Sequence, residues 1–312
     1  MLSKLVDIFV CPSCKNSLSI DVEEEKNNRI KEGTFHCSSC SSSYKIINFV
    51  PRFVTNEEYV SSFGDEWHLF KKVKNSKTDM SKDEMDKYLG LKEVNIKDKM
   101  VLEIGCGAGP YLDVSGREYG AKHVIGVDLS RAVDAAYENV GNLENITIIQ
   151  ANLFSLPFKE PIFDLIYSLG VLHHTPNTKD AFNAVIPYVK KNGEVSIWLY
   201  GKYWERKIRN QNWIRKNITS KFSSKQLYIF SKFASYLYYL YLIPILGDGL
   251  RERIPIAMDK DIEVRQLNTF DMYSPTYINY HYLDEVYSWF EEAKFEQIRP
   301  NKYLLGMKGI RR

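Results

Sequence analysis

A glycine-rich segment offers the first chemistry in this sequence. It follows an apolar run directly and reads Glu103-Ile-Gly105-Cys-Gly107-Ala-Gly109. Glycine is needed where a chain turns tightly and its amides must approach a ligand, and the N-terminus of a following helix would face that ligand. Pro110 stands where a dinucleotide-binding loop carries its third glycine, and the Glu103 carboxylate would repel a pyrophosphate. We therefore expect a cationic ligand, and the alternative is a tight turn that binds nothing.

Polar residues also follow the next three apolar runs. Asp128 comes 19 residues after Gly109, and an acid there can accept two hydrogen bonds from ribose hydroxyls. The Asn152 amide and the Leu153 backbone can read the edge of an adenine base. Because ligands bind at the carboxyl ends of parallel strands, we expect these segments to meet at one edge of a sheet. Beyond the glycines, the expected ligand-binding residues are Glu103, Asp128, Leu129, Asn152, Leu153 and Ser168.

Two adjacent histidines, His173 and His174, end the fourth of these segments. Histidine exchanges a proton near neutral pH, so either residue could act as a general base or orient an acceptor. For each histidine alone, a local hydrogen bond that stabilises the loop is the favoured interpretation. We expect the segment Asp271–Pro275 to be a loop over the same pocket. Further polar candidates lie at the borders of the 201–270 insertion: Tyr200, Tyr203, Tyr273 and His281.

Four of the five cysteines form two pairs, Cys11-Pro-Ser-Cys14 and Cys37-Ser-Ser-Cys40, separated by 22 residues. Each CxxC can form a turn that presents two thiolates to one ion, and two such turns complete a tetrahedral shell for Zn²⁺. Ordinary buried cysteines or a redox pair are the alternatives. Because the protein supplies all four ligands, we expect a structural ion, and its binding would supply folding energy to a segment too small to build much core.

Apolar runs alternate with helical stretches between residues 98 and 200, which predicts an α/β fold whose parallel sheet has helices on both faces. The expected strands are Met100–Ile104, His123–Val127, Ile146–Gln150, Phe163–Leu169 and Glu194–Leu199. After a helix near Leu283–Ala293, strands near Phe295–Ile298 and Tyr303–Lys308 predict an antiparallel hairpin at the sheet edge. The expected divisions are a zinc-ribbon module at 1–54, a helical linker and ligand cap at 55–97, and a main domain at 98–312 with an insertion at 201–270.

Residues 98–200 resemble the class I S-adenosylmethionine (SAM)-dependent methyltransferases, in the branch with Glu-Ile-Gly-Cys-Gly-x-Gly and Leu-His-His-Thr-Pro. The resemblance implies a seven-stranded, mostly parallel, Rossmann-like sheet between helices. It implies that Glu103 and the glycines surround the methionine part of SAM, that Asp128 binds the ribose, and that Asn152 and Leu153 lie near the adenine. Asn152 departs from the Asp that is common at its position, which weakens that last assignment.

Two segments outside this core carry further resemblances. Phe63-Gly-Asp-Glu-Trp67 resembles a segment that precedes the core in many relatives, so Trp67 or Phe63 is expected over the sulfonium. The N-terminal segment resembles the small zinc-ribbon subunit that activates several tRNA and protein methyltransferases. The shared features are the two cysteine pairs, Tyr44-Lys-Ile and Val50-Pro51.

Composition limits the remaining possibilities. The chain has 312 residues, and 42 Lys and Arg against 39 Asp and Glu give a net charge of +3, so no nucleic-acid partner is required. No secretory signal and no uncharged apolar run of about 18 residues are present, which predicts a cytoplasmic protein. Within the insertion, nine basic residues and one acid lie between Lys202 and Lys232. Residues 202–246 could therefore form a solvated helical face, bind RNA or contact a membrane surface, and the sequence leaves these three interpretations open.

The leading functional hypothesis is a SAM-dependent methyltransferase that acts on an oxygen or nitrogen of a small-molecule or glycan or lipid-linked acceptor. The long insertion favours it, because the chain can then build a closed acceptor pocket itself. The alternatives are a tRNA methyltransferase and a SAM-binding scaffold without catalysis. A nicotinamide-dependent enzyme is disfavoured by Pro110 and Glu103. The apolar segment Phe233–Leu246 is expected as a buried helical cap or a dimer contact, with a membrane-surface helix as the alternative.

Overall fold

The computed structural model describes residues 1–54, 82–203, 205–301, 303 and 305–312. Phe63 and Trp67 therefore lie outside the described residues. The described chain forms two compact units, one from residues 1–54, 82–201 and 279–312 and one from residues 202–278. Among the described residues, no helix combines the length and the apolar character that crossing a bilayer needs.

One mixed sheet organises the first unit. Its strands, in chain order, are β1 (Ser19–Lys26), β2 (Arg29–His36), β3 (Ser43–Ile47), β4 (Val50–Phe53), β5 (Met100–Ile104), β6 (His123–Asp128), β7 (Ile146–Ala151), β8 (Phe163–Leu169), β9 (Val189–Leu199), β10 (Phe295–Pro300) and β11 (Leu305–Arg311). Over the described residues the sheet has eleven strands in the order β1-β2-β3-β4-β7-β6-β5-β8-β9-β11-β10. Strands β5 to β9 are parallel, and β11 is antiparallel to β9. The expected Rossmann-like sheet and its closing hairpin are confirmed.

Strand β9 begins five residues before its expected start at Glu194. The residues Lys190-Lys-Asn-Gly look like a turn, and Asn192 does have a positive φ of 62°. The sheet absorbs this kink through a register shift on β8, so that Val189 still pairs with Phe163. A polar run next to a buried apolar residue can therefore remain in a strand when a bulge accommodates it.

The N-terminal strands extend the same sheet. Strand β4 pairs in parallel with β7, with Arg52 opposite Gln150 and Phe53 opposite Ala151. Phe53 also packs on Phe9, with ring centroids 5.3 Å apart. The Arg29 guanidinium donates hydrogen bonds to two carbonyls at the end of the helix that follows β6, those of Gly141 and Leu143. The cysteine-bearing segment therefore belongs to the body of the first unit.

Amphipathic helices cover both faces of this sheet. They are α1 (Pro110–Asp113), α2 (Ala132–Val140), α3 (Thr178–Val185) and α9 (Leu283–Glu292), with π-helical turns at Met85–Leu89 and Val114–Glu118. Helix α9 buries Val286, Trp289 and Phe290, which lie three and four residues apart and therefore share one face. Burying each such side chain contributes about 1.5–3 kcal/mol. Asn177 caps α3 by accepting hydrogen bonds from two backbone amides.

The second unit is helical. Its helices are α4 (Glu205–Asn217), α5 (Ser224–Tyr236), α6 (Tyr238–Tyr241), α7 (Leu246–Arg253) and α8 (Ile262–Tyr273). Ser223 and Gln226 form a capping box that begins α5. Side chains from α4, α5 and α8 share a core of Ile214, Leu227, Leu267, Phe270 and Tyr273. The helical insertion that we expected after the fifth strand of the main sheet is confirmed.

Two local expectations for this unit were wrong. Residues 271–273 form the last turn of α8, and the buried Tyr273 hydroxyl donates to the Pro255 carbonyl at 2.5 Å, so this segment is not an open loop. The Phe233–Leu246 segment is not a buried cap, because its outer side chains are exposed, Phe233 by 69% and Tyr239 by 61%. The periodicity of apolar residues could not distinguish a covered helix face from an exposed one, because the apolar stripe is the same in both.

Candidate active site

The glycine segment forms a tight loop between β5 and α1. Gly105 has a φ of 78°, and a Cβ atom there would lie 2.2 Å from a Val171 methyl carbon, so only glycine fits. The amides of Gly105 and Cys106 donate to the Val127 carbonyl on β6, at 2.7 and 3.0 Å. Gly109, with a φ of 84°, then starts α1. The loop is therefore held against the neighbouring strand.

Asp128 braces this loop from the end of β6. One carboxylate oxygen accepts a hydrogen bond from the Gly107 amide at 2.9 Å. The other accepts from the Ser130 amide and hydroxyl, at 2.8 and 2.7 Å. The two motifs that the sequence predicted to meet are therefore in direct contact.

Glu103 is a buried carboxyl beside the loop, with an exposed fraction of 1%. Burial raises the pKa of Glu103 to about 8, the Tyr167 hydroxyl opposes that rise by donating a hydrogen bond at 3.0 Å, and the Asp128 charge adds to it. Among the described side chains, no cation forms an ion pair with it. A buried acid without a cationic partner fits a ligand that brings its own positive charge.

The remaining expected cofactor residues have local roles in the structure. The Asn152 side chain accepts from the Phe154 amide at 3.0 Å and so caps the turn that contains Leu153. The Ser168 hydroxyl donates to the Ile104 carbonyl at 3.1 Å and ties β8 to β5. The Leu129 carbonyl accepts a hydrogen bond from the side-chain amide of Gln150 at 3.0 Å. These contacts fix the strand ends from which a nucleoside would be read.

His173 lies at the end of β8 and is fully buried. Neither ring nitrogen has a hydrogen-bond partner among the described residues, and burial holds the pKa of His173 well below its usual value. Its ring stacks on Tyr200 with centroids 3.9 Å apart, and Asn279 fixes its backbone by donating to the His173 carbonyl at 2.9 Å. The Trp198 indole nitrogen also has no partner in this part of the described chain. Unpartnered buried donors and acceptors are costly, so this position suits a polar ligand or water.

The other polar candidates differ in what they can do. His174 is half-buried, with its ring centroid 4.2 Å from that of His173. Both ring nitrogens of His281 have partners, the Thr178 hydroxyl at 2.9 Å and the Glu285 carboxylate at 3.0 Å. Tyr203 and Tyr273 belong to the second unit, and the Tyr273 hydroxyl already has its partner there. His173 is therefore the candidate histidine whose buried ring nitrogens have no partner among the described residues.

Arg52 is a residue of this region that sequence reasoning missed. Its guanidinium pairs with Asp134 on α2 and donates to the Gln150 side chain at 3.0 Å. These residues line a cavity of about 800 Å³ between the β3–β4 turn and α2, where Phe49 stacks on Tyr137. Only the parallel pairing of β4 with β7 brings Arg52 to the strand ends, and no local pattern signals that pairing.

We expect Arg52→Ala to lower the free energy of unfolding by about 1–3 kcal/mol, because the substitution removes its bonds to the buried Gln150 and the half-buried Asp134. Thermal and denaturant unfolding would measure the loss. Arg117→Ala is the matched control, since the exposed Arg117 guanidinium pairs with Asp113 one helical turn away and should contribute much less. Equal losses for the two variants would contradict a bridging role for Arg52.

The four paired cysteines come together at one point of the first unit. All four sulfur atoms lie within 4.8 Å of one another, with Cys11 and Cys40 3.5 Å apart and Cys14 and Cys37 3.4 Å apart. Four thiolates around one zinc ion, each about 2.3 Å from it, would have sulfurs about 3.8 Å apart. The donor set and spacing therefore fit a closed, structural zinc site.

Comparisons with known proteins find similarity to methyltransferases. Residues 102–197 match the family described as "Methyltransferase domain". The tRNA U34 carboxymethyltransferase of Ruthia magnifica subsp. Calyptogena magnifica is 31% identical over 106 residues, which cover 33% of this chain and 33% of that protein. Protein arginine N-methyltransferase 1 of Saccharomyces cerevisiae is 41% identical over 75 residues, or 23% of this chain and 21% of that protein.

A solved S-adenosylmethionine dependent methyltransferase from Mesorhizobium loti is 26% identical with a TM-score of 0.32, over 35% of this chain and 49% of that one. The chain matches a third or less of the length of the two curated relatives. The residues that match the family model, 102–197, include the strands and loops described above as the ligand-binding edge.

Proposed function

We propose that this chain, whose residues 102–197 form a class I SAM-dependent methyltransferase domain, transfers a methyl group from SAM to an oxygen or nitrogen of a small-molecule, glycan or lipid-linked acceptor. The observation that carries the proposal is the pairing of a buried, uncompensated Glu103 with a glycine loop that Asp128 braces. The carboxylates suit the ammonium and ribose of SAM, and the bare loop admits its methionine part.

The residues of the site then have separate tasks. When bound, SAM supplies a methyl group that the sulfonium already activates. Glu103 and Asp128 bind the methyl donor, and the glycine loop determines how closely the donor approaches the sheet. His173 accepts a hydrogen bond from the acceptor's hydroxyl or amine and aligns it; such alignment contributes about 7–11 kcal/mol to reactions of this kind. Because burial holds the pKa of His173 low, this residue is a weak base and acts mainly by orienting the acceptor.

Aromatic side chains around His173 favour a ring-bearing or sugar acceptor. Tyr200 stacks on the histidine, and the rings of Trp198 and Tyr280 lie 5.5 and 6.0 Å from that of Tyr200. Flat apolar surfaces with few polar atoms are typical of small-molecule sites. The test is to incubate the protein with methyl-labelled SAM and cell extract, and then to separate lipid, nucleic-acid and small-molecule fractions. Label in the lipid or small-molecule fraction supports the proposal, and absence of label from every fraction favours a non-catalytic scaffold.

We expect His173→Phe to lower kcat by about 10- to 100-fold with little change in SAM affinity, because phenylalanine keeps the stack on Tyr200 but cannot hold the acceptor. Turnover on the labelled fraction and calorimetric titration with SAM would measure the two effects. His36→Gln, at an exposed position in β2, is the control. Unchanged turnover in the His173→Phe protein would exclude the orienting role.

A tRNA acceptor is the second candidate. The observation that favours it is the 31% identity to a tRNA U34 carboxymethyltransferase, together with the basic segment 202–232. RNA bound through phosphates would dissociate steeply as salt rises. Label in the nucleic-acid fraction and salt-sensitive tRNA binding would replace the small-molecule proposal with this one.

A further inference from the structure

The second unit exposes a row of large apolar side chains that its own packing leaves uncovered. We call it the 233–245 patch. Among the described residues nothing covers it, and the exposed fractions are 69% for Phe233, 51% for Tyr236, 61% for Tyr239, 54% for Leu242, 46% for Ile243 and 90% for Ile245. Exposed apolar groups of this size and contiguity mark an interaction surface.

The patch is not the face that holds the unit together. Helix α5 buries Leu227, Ser231 and Ala234 on its inner side. Phe233 and Tyr236 lie on the opposite side, three residues apart. Because the unit already has a complete core on the inner face, the outer row has no structural role within the described chain.

The tip of the patch is a fixed projection. Gly247 approaches the Tyr241 carbonyl so closely that a Cβ atom would lie 2.2 Å from that oxygen, and its amide donates to the Ile243 carbonyl at 2.8 Å. Arg251 also donates to the Tyr241 carbonyl at 2.6 Å. These bonds hold Ile245 outward with a φ of 68°, a conformation that β-branched residues avoid. The most exposed isoleucine is therefore also held in a strained backbone.

The segment that carries the patch is basic. Between residues 202 and 253 there are eleven Lys and Arg and three Asp and Glu. Lys225 and Lys232 are exposed and share the outer face of α5 with Phe233 and Tyr236. A cationic surface that carries projecting aliphatic and tyrosine side chains is complementary to anionic lipid head groups above an acyl layer.

We propose that the 233–245 patch docks this protein on an anionic lipid membrane. Aliphatic tips such as Leu242 and Ile245 enter the head-group region, tyrosines lie at the interface, and the lysines meet lipid phosphates. RNA is the less suitable partner. The aromatic rings of the patch can stack on bases, but the aliphatic Leu242, Ile243 and Ile245 at its far end offer bases no stacking surface. The inference concerns binding alone and does not rest on the proposed methyl transfer.

The test is cosedimentation of the full chain with vesicles. Vesicles of phosphatidylcholine with about one third phosphatidylglycerol should bind the protein, and pure phosphatidylcholine vesicles should bind it much less. We expect the triple variant Phe233→Gln, Leu242→Gln, Ile245→Gln to bind about 10-fold or more weakly. The matched control replaces three exposed apolar residues elsewhere, Val22→Gln, Leu283→Gln and Tyr287→Gln, and should bind as the unchanged protein does.

Ile245→Gly separates docking from folding. Glycine relieves the positive φ, so the variant should unfold at the same temperature or higher while it binds vesicles less tightly. Vesicle binding that the triple variant retains would overturn the proposal. An absence of vesicle binding would also overturn it. Salt-sensitive tRNA binding would then identify the patch as an RNA site, and a dimer in sedimentation that the triple variant loses would identify it as a contact between two copies.

Discussion

At pH 7 the Glu103→Gln protein should bind SAM about 10- to 150-fold more weakly than the unchanged protein, because it loses a charged hydrogen bond worth about 1.5–3 kcal/mol. The amide keeps the size of the side chain and can still accept the Tyr167 hydroxyl. Burial, which raises the pKa of Glu103 to about 8, makes ionisation of the ligand-free protein unfavourable. A cationic ligand reverses that cost, so SAM binding should release a proton.

The raised pKa of Glu103 predicts two pH dependences of opposite sign, one for the stability of the protein and one for its affinity for SAM. The folded pKa of Glu103 lies above its unfolded value, so the folded state holds the extra proton, and stability falls as pH rises from about 4.5 to about 8. The Glu103→Gln protein should therefore unfold at an equal or higher temperature than the unchanged protein at pH 8. SAM affinity should rise between pH 6 and 7.5 in the unchanged protein and stay level in the variant.

Calorimetric titration at several pH values and thermal unfolding without ligand would measure both effects. Glu118→Gln serves as the control, since its carboxylate is exposed and pairs with Lys82. SAM affinity that is equal in the two variants would remove the central electrostatic argument for the cofactor. A variant that binds SAM weakly but also unfolds early would point to a packing defect at this position.

Loss of the metal from the cysteine site should unfold the N-terminal segment. In zinc-finger peptides zinc binding contributes about 10–16 kcal/mol to folding, and here the ion would add to the packing of Phe9, Phe35 and Phe53 in the main core. We expect Cys14→Ser to abolish the bound zinc, to lower the unfolding temperature, and to speed hydrogen exchange at the amides of Gln150 and Ala151, which face β4. Ser39→Ala changes the same kind of turn without touching a thiol and is the control.

Elemental analysis, thermal unfolding and amide exchange would together test this expectation. A strong chelator should reproduce the effect of Cys14→Ser in the unchanged protein, and added zinc should reverse it. Bound zinc in the variant, or unchanged exchange along β7 in a zinc-free protein, would show that the cluster does not support the sheet.

The strand ends could be predicted from the sequence because each joins a buried apolar run to a polar residue or glycine. Glu103, Asp128 and the glycines are such positions, and their mutual contact follows from the geometry of parallel strands. The metal site formed by the two CxxC turns could also be predicted from the sequence, because the spacing and the type of its ligands are local features of the chain. For these features, short segments of chain contain the physical cause.

Other features depend on residues far apart in the chain. The burial of His173 results from Tyr200 and from Asn279, which lies more than 100 residues away. Arg52 reaches the cofactor edge through a two-residue parallel pairing that leaves no periodic signal. The exposure of Phe233 was missed because apolar spacing reports a stripe and not what covers it.

The pairing of β4 with β7 also sets an order of events during synthesis. Within the cysteine segment β4 can pair with β3 once residue 53 has emerged, but it must wait for residues 146–151 before it gains its second neighbour, β7. At about 5–20 residues per second, that interval is roughly 5–20 s. Throughout it, a nascent chain would present an unsatisfied strand edge, which makes this period the one in which the protein is most open to chaperones or to mispairing with another polypeptide.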